Sequence, residues 1–158
     1  MIFRLVVLAA LSTAAASAPA AAQDAPTPPP PTTITLPPAP PGSPAAIVDA
    51  QRAAYNSGDV EAFAAFYAED VEFFDLGPDN PMLMQGRDAL IKRYRPALER
   101  ARPRARLLNR IVDGRFVLDK EQVVAGANNN SGAAIYEIVD GKIARVWFTP
   151  AVLRLRPR

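Results

Sequence analysis

Apolar residues recur at helical spacing from Ile47 onward, and past Pro103 the pattern changes to the alternation of strands. Ile47, Ala50 and Ala54, with Val48, Gln51 and Tyr55 alongside, predict a first helix. Ser43-Pro44 opens it, a capping hydroxyl followed by proline at the first helical position. Asn56-Ser57-Gly58 stops it, and Asp59 caps a shorter helix whose face carries Val60, Phe63 and Tyr67. Residues 71–76 read as a strand from their β-branched and aromatic content, and residues 77–81 as a loop. Leu90, Ile91, Tyr94 and Leu98 stripe a third helix starting near Arg87, which Pro96 is expected to kink or end. Strands at 107–112 and 116–124 flank Asp113-Gly114, and strands at 133–139 and 142–148 flank Asp140-Gly141, two hairpin signals. Residues 128–132, Asn-Asn-Asn-Ser-Gly, read as the loop between hairpins, with a weak glycosylation sequon at Asn129. Helices first and hairpins after predict an α+β domain, its helices covering one face of a bent antiparallel sheet as a cone with one open end.

The ends of the chain differ in character. Arg4, the apolar run from Leu5 to Ala16 and the small residues after it read as an export signal over residues 1–22, cut before Gln23. That run is shorter than the roughly 20 residues a membrane span needs, so no stable insertion is expected after cleavage. Residues 23–43 are dominated by proline, which fixes φ and removes backbone donors, and predict an extended, unstructured linker. The domain is placed at 44–150 and a basic tail at 151–158.

Composition narrows the chemistry. With no cysteine, the core must hold without disulfides even in an oxidising compartment, periplasmic or extracellular. With no histidine, Ser-His-Asp and Cys-His catalysis and histidine metal sites are excluded, leaving acid–base work to Asp, Glu, Tyr or Lys. No metal or cofactor motif is present. Charge is segregated: residues 23–86 carry nine acids and one base, Arg52, whereas residues 87–158 carry sixteen bases and seven acids. No aromatic-interleaved motif accompanies those bases, so nucleic acid is not the expected partner.

Three stretches carry a resemblance: YNSGDVEAFAAFYAEDVEFFD from Tyr55, GRDALIKRY from Gly86, and AIYEIVDGKIARVWF from Ala134. Their order and spacing resemble the nuclear transport factor 2-like superfamily, in its SnoaL-like and ketosteroid-isomerase-like branch, over about residues 45–150. The resemblance implies a cone-shaped pocket fold, dimeric through its sheet. It implies that Asp75, at the end of the first strand, is the proton shuttle, and that Tyr94 turns toward the pocket. Two departures stand out. The isomerase tyrosine on the first helix corresponds to Gln51, and the protonated aspartate before the last hairpin corresponds to Ala134. Each such oxyanion donor is worth roughly 3–4 kcal/mol, so the resemblance does not carry steroid isomerisation itself; a glutamine amide could still donate weakly.

The candidate catalytic residues are therefore Asp75, Tyr94 and Gln51. Tyr55, Phe63, Phe73, Met84, Tyr136 and Trp147 are candidate pocket residues, with Met82 beside them. Trp147 and Arg145 share a strand face that would equally serve a homodimer. On residues 116–124, Asp119 and Glu121 alternate in phase with Val117 and Val123, and Lys120 with Phe116 and Leu118; a buried lysine–acid pair and a solvated edge both fit. Two functions follow: a cofactor-free lyase, isomerase or cyclase acting on a small apolar carbonyl compound through Asp75, or a non-catalytic ligand-binding or dimerisation module of the same fold.

Overall fold

The first helix, α1 (Pro44–Ser57), begins where the sequence says it should: the Ser43 side chain accepts from the Ala46 N–H and proline occupies the first turn. The computed structural model describes residues 37–149 and the backbone of Val152–Leu153. The export signal, the linker as far as residue 36 and the tail apart from those two residues lie outside the described residues.

α1 ends at Gly58, whose φ of 86° is a left-handed cap that a side chain would strain. Just before it, Asn56 acts as a backbone mimic. Its amide donates to Ala105 O (2.9 Å) and its carbonyl accepts from Ala105 N (2.7 Å), tying the end of α1 to strand β3 (Arg104–Asp113). Asp59 caps α2 (Val60–Ala64), which lasts only five residues. Tyr67, expected on that helix, instead opens β1 (Tyr67–Asp75). Its buried ring and its backbone pairing with Ile143 outweigh local helical spacing.

A short β2 (Met82–Gln85), not expected from the sequence, turns back on β1 and leads through Gly86 into α3 (Arg87–Ala101). Gly86, at φ 88° and ψ 148°, adopts a conformation open essentially to glycine alone. α3 runs on through the exposed Pro96 to Ala101, so of the two expected effects, a kink or an end, the end does not occur there. The expectation of three N-terminal helices also needs adjusting, because β1 and β2 precede α3.

The remaining strands are β4 (Phe116–Ala125), β5 (Asn128–Val139), β6 (Lys142–Phe148) and β7 (Val152–Leu153). The asparagine run is not a loop. It starts β5, because a turn at Gly126 (φ 60°) lets residues 128–132 pair with β4. The sheet order is β2-β1-β6-β5-β4-β3, with β7 paired to β5. It is not purely antiparallel, since β1 runs parallel to β6. Register shifts in four of the strand pairs bend it, giving a six-strand curved sheet with the helices on one face.

Strand register sorts the side chains into rows. On the helix-facing side, Met84, Phe73, Val146, Tyr136 and Val117 line up across five strands. The next row is Asp75, Phe148, Ala134, Asp119 and Arg110. Val48, Val60, Phe63, Leu90 and Leu98 close the core from the helices. Each fully buried Val, Leu or Phe there contributes roughly 1.5–3 kcal/mol.

Candidate functional site

Between the helices and the inner sheet face lies a cavity of about 100 Å³. Gln51, Arg52 and Tyr55 reach it from α1, Phe63 from α2, Tyr67 from the start of β1 and Tyr94 from α3. Ala105, Glu121, Val123, Tyr136 and Phe148 complete the wall from β3, β4, β5 and β6. All four tyrosines of the chain are there. Helical spacing explains the α1 contribution, since Gln51 and Tyr55 are one turn apart. The helix residues and Tyr67 pack through their rings: Phe63 lies 5.5 Å from Tyr55, 5.2 Å from Tyr67 and 5.2 Å from Tyr94 between centroids.

The cavity's electrostatics follow from burial. Desolvation, reinforced by neighbouring ionisable groups, holds Tyr55, Tyr67 and Tyr136 well above the usual phenol range. Desolvation likewise raises Tyr94, against the opposing pull of Arg93. All four are therefore neutral hydroxyls at ordinary pH. The Gln51 amide donates to Tyr67 Oη at 2.8 Å, which leaves the Tyr67 proton available to another acceptor. Glu121 is the exception to this neutral wall. Burial first, and the Asp119 carboxylate second, push its carboxyl up to about 7, while Arg52, Arg110 and a hydrogen bond from Tyr136 pull the other way. A carboxyl poised there exchanges protons readily at neutral pH.

Behind Glu121 is a compact charge cluster. Arg110 grips the fully buried Asp119 with two bonds of 2.6 Å and reaches Asp49 at 2.9 Å. Arg52 donates to Asp49 through Nη2 at 2.7 Å, and its second terminal nitrogen, Nη1, pairs with Asp119 at 3.7 Å. That second nitrogen is buried and has no hydrogen-bond partner among the described residues.

Gln51, Tyr55, Phe63, Tyr94 and Tyr136, all anticipated from the sequence, meet at this cavity. Phe73, Met84 and Trp147 do not line it. Phe73 is core, 5.6 Å from Tyr67 and 6.1 Å from Phe148, and Met84 packs opposite it. Trp147 lies on the other face of the sheet, stacked 5.8 Å from Phe74, because Val146 and Phe148 take the inner positions of β6. Asp75 shares the inner row with Phe148 but lies off the cavity wall. Its N–H donates to Pro81 O at 3.0 Å, and its buried Oδ1 has no hydrogen-bond partner among the described residues. Arg52, Tyr67 and Glu121 are the polar wall residues the sequence reading missed. For Glu121 the signal existed in its phase with Val117 and Val123. Lys120, the partner entertained for these acids, is exposed, and Asp119 pairs with Arg110 instead.

A curved mixed sheet with helices on one side and a polar-aromatic cavity between them defines a small pocket domain. Residues 48–146 match the SnoaL-like domain family, and the chain belongs to it, within the nuclear transport factor 2-like superfamily. A putative ketosteroid isomerase from Kribbella flavida is similar in structure, at TM-score 0.58 and 21% identity, over 73% of this chain and 83% of that one. A putative polyketide cyclase from Sinorhizobium meliloti has TM-score 0.55 and 26% identity, over 65% of this chain and 92% of that one. An LEH-like epoxide hydrolase from M. tuberculosis has TM-score 0.55 and 18% identity, over 65% of this chain and 78% of that one. No curated protein matches the sequence. Among the described residues no helix is long and apolar enough to cross a membrane.

Proposed function

We propose that this SnoaL-like domain is a cofactor-free isomerase, lyase or cyclase acting on a small carbonyl compound, with Glu121 shuttling the proton. The observation that carries the reading is a half-buried carboxyl, pushed up to about 7, on a cavity wall whose other hydroxyls stay protonated. In this scheme Glu121 removes a proton next to the carbonyl and returns it elsewhere, while tyrosine hydroxyls and the Gln51 amide donate to the developing oxyanion. The cone closed by sheet and helices belongs to the same proposal, as does export through residues 1–22. Asp75 is the competing base, placed on the same sheet face by register.

Deuterium uptake by small ketones in heavy water, followed by proton NMR, tests the assignment. Exchange that disappears in Glu121→Gln and persists in Asp75→Asn supports Glu121. The reverse pattern returns the role to Asp75, and exchange in no form of the protein leaves a binding module.

A second copy of the chain is proposed to cover the outer sheet face. Register sets Met82, Phe74, Trp147, Ile135, Leu118 and Ile111 side by side across six strands there. Met82 is 50% exposed and Ile111 61% exposed. Arg145 and Glu72, paired at 2.9 Å, put both signs of charge beside the row, as a face that meets its own copy requires. Light scattering at micromolar concentration should give twice the chain mass, and Trp147→Glu should halve it; a monomer throughout rejects the dimer.

A further inference from the structure

Six aromatic rings line the cavity, those of Tyr55, Phe63, Tyr67, Tyr94, Tyr136 and Phe148. They meet at steep angles, Tyr55 against Tyr94 at 76° and Phe63 against Tyr67 at 63°, so they form a box rather than a stack. The charges around that box are not evenly matched. Arg52 gives Nη2 to Asp49 at 2.7 Å and pairs through its buried Nη1 with Asp119 at 3.7 Å. Arg110 grips Asp119 with two bonds of 2.6 Å and reaches Asp49 at 2.9 Å. Two arginines are thus matched by two aspartates. Glu121, on the wall, has no ion pair among the described residues, and Tyr136 supplies its one hydrogen bond. The buried side-chain atoms left without a partner among the described residues are Arg52 Nη1, Asp75 Oδ1 and Arg87 Nε. No Glu121 oxygen is among them, so its second oxygen is open to the cavity it lines. An unmatched carboxylate among aromatic rings suits an alkylated ammonium, whose charge is attracted by the ring faces and by the acid together. Size sets the scale: about 100 Å³ is two-thirds of the roughly 150 Å³ cavity that takes benzene, so the occupant has about four heavy atoms.

We propose that the cavity holds a small alkylated ammonium ion, with Glu121 as its counter-charge and the aromatic rings as its walls. The inference rests on the proposed function only for the cavity as the ligand site; it uses the charge of Glu121, not proton transfer. The ion's N–H donates to the open Glu121 oxygen, and its methyl groups meet the rings. Because ion and ketone would fill one space, the ion is also a competitive inhibitor of the proton transfer proposed above.

Trimethylammonium, acetone and acetate have equal numbers of heavy atoms and are cation, neutral and anion, so together they read the sign of the cavity. Binding is measured by calorimetry on the full chain, and acetone enolisation by proton exchange in heavy water. Trimethylammonium should bind at least tenfold more tightly than either companion. Glu121→Gln should remove that preference, and Tyr55→Leu should weaken trimethylammonium more than acetone, with thermal melts confirming that both variants fold. In the unmodified protein the preference should grow several-fold between about pH 6 and pH 8, as Glu121 ionises. Of the other groups facing Glu121, Tyr55, Tyr67, Tyr94 and Tyr136 keep their protons over that range, and Arg52 and Arg110 are paired with Asp49 and Asp119. Should the variants fail to fold, this pH dependence decides the same question. Acetone or acetate binding as tightly as trimethylammonium, or no binding of any of the three, overturns the proposal. So does an unchanged preference in folded Glu121→Gln, equal weakening of ion and ketone in folded Tyr55→Leu, or a preference that falls as pH rises. The two readings fail separately. Trimethylammonium binding without acetone exchange sinks the proton shuttle alone, and Glu121-dependent exchange that trimethylammonium does not inhibit sinks the cation site alone.

Discussion

Asp119 and Glu121 are two residues apart on β4, face the same side of the sheet and both carry carboxyls into the interior, yet their surroundings differ. Asp119 is fully buried and receives two short bonds from Arg110, so its charge is neutralised where it stands. Glu121, one row further along, meets phenol rings, the Asp119 charge and a single hydrogen bond from Tyr136. Burial alone therefore does not decide what an acid does. An acid with a dedicated cation becomes structure, and an acid whose nearest cations are committed elsewhere remains available to move a proton.

The comparison can be broken most severely at Asp119. Asp119→Ala strands Arg110, whose side chain is only 6% exposed, and should cost about 3–5 kcal/mol in urea denaturation. A loss below about 1 kcal/mol would mean that Asp49 suffices for Arg110.

Glu121→Gln should act in the opposite direction. The folded carboxyl is raised from 4.5 to about 7, so the protonated form is the one folding favours. That contribution is fully present below about 4.5 and is lost as pH rises through 7. The variant should match the parent at pH 4 and be more stable at pH 8, by on the order of 3 kcal/mol at most. Melting curves across that range check the sign; a variant less stable at pH 8 refutes it.

A smaller effect is expected at Tyr136. Its bond lowers the Glu121 midpoint, so Tyr136→Phe should raise it by less than one pH unit, the equivalent of about 1 kcal/mol. Carbon NMR titration of Glu121 reads this directly. Lys120 supplies the control: it lies between the two acids but faces out, so Lys120→Ala should change stability by less than about 0.5 kcal/mol.

The legible parts of the fold were those with local causes. Ser43-Pro44, Gly58 and Asp140-Gly141 act through their own backbone, and each did locally what its residue type demands. What escaped was set by partners far along the chain. Tyr67 looked helical because its membership of β1 depends on Ile143. Arg110 could not be matched to Asp119 by alternation, because an irregularity between Leu107 and Asn109 moves it to the inner face. At the site, the aromatic members were readable from helical spacing. The polar ones were not, since the value of Arg52 or Glu121 depends on which neighbours are already spoken for.

The parallel ladder joining β1 to β6 has a bearing on how the molecule is made. Phe73 and Phe74 find their neighbours in Val146 and Trp147, more than seventy positions later. β1 therefore stays without one edge until nearly all of residues 67–148 have been synthesised. Closing so long a segment must come before the packing that rewards it. Refolding is expected on the millisecond-to-second scale of sheet-rich domains rather than that of helical bundles. A ribosome-tethered chain stopped short of β6 should be digested as rapidly as an unfolded one.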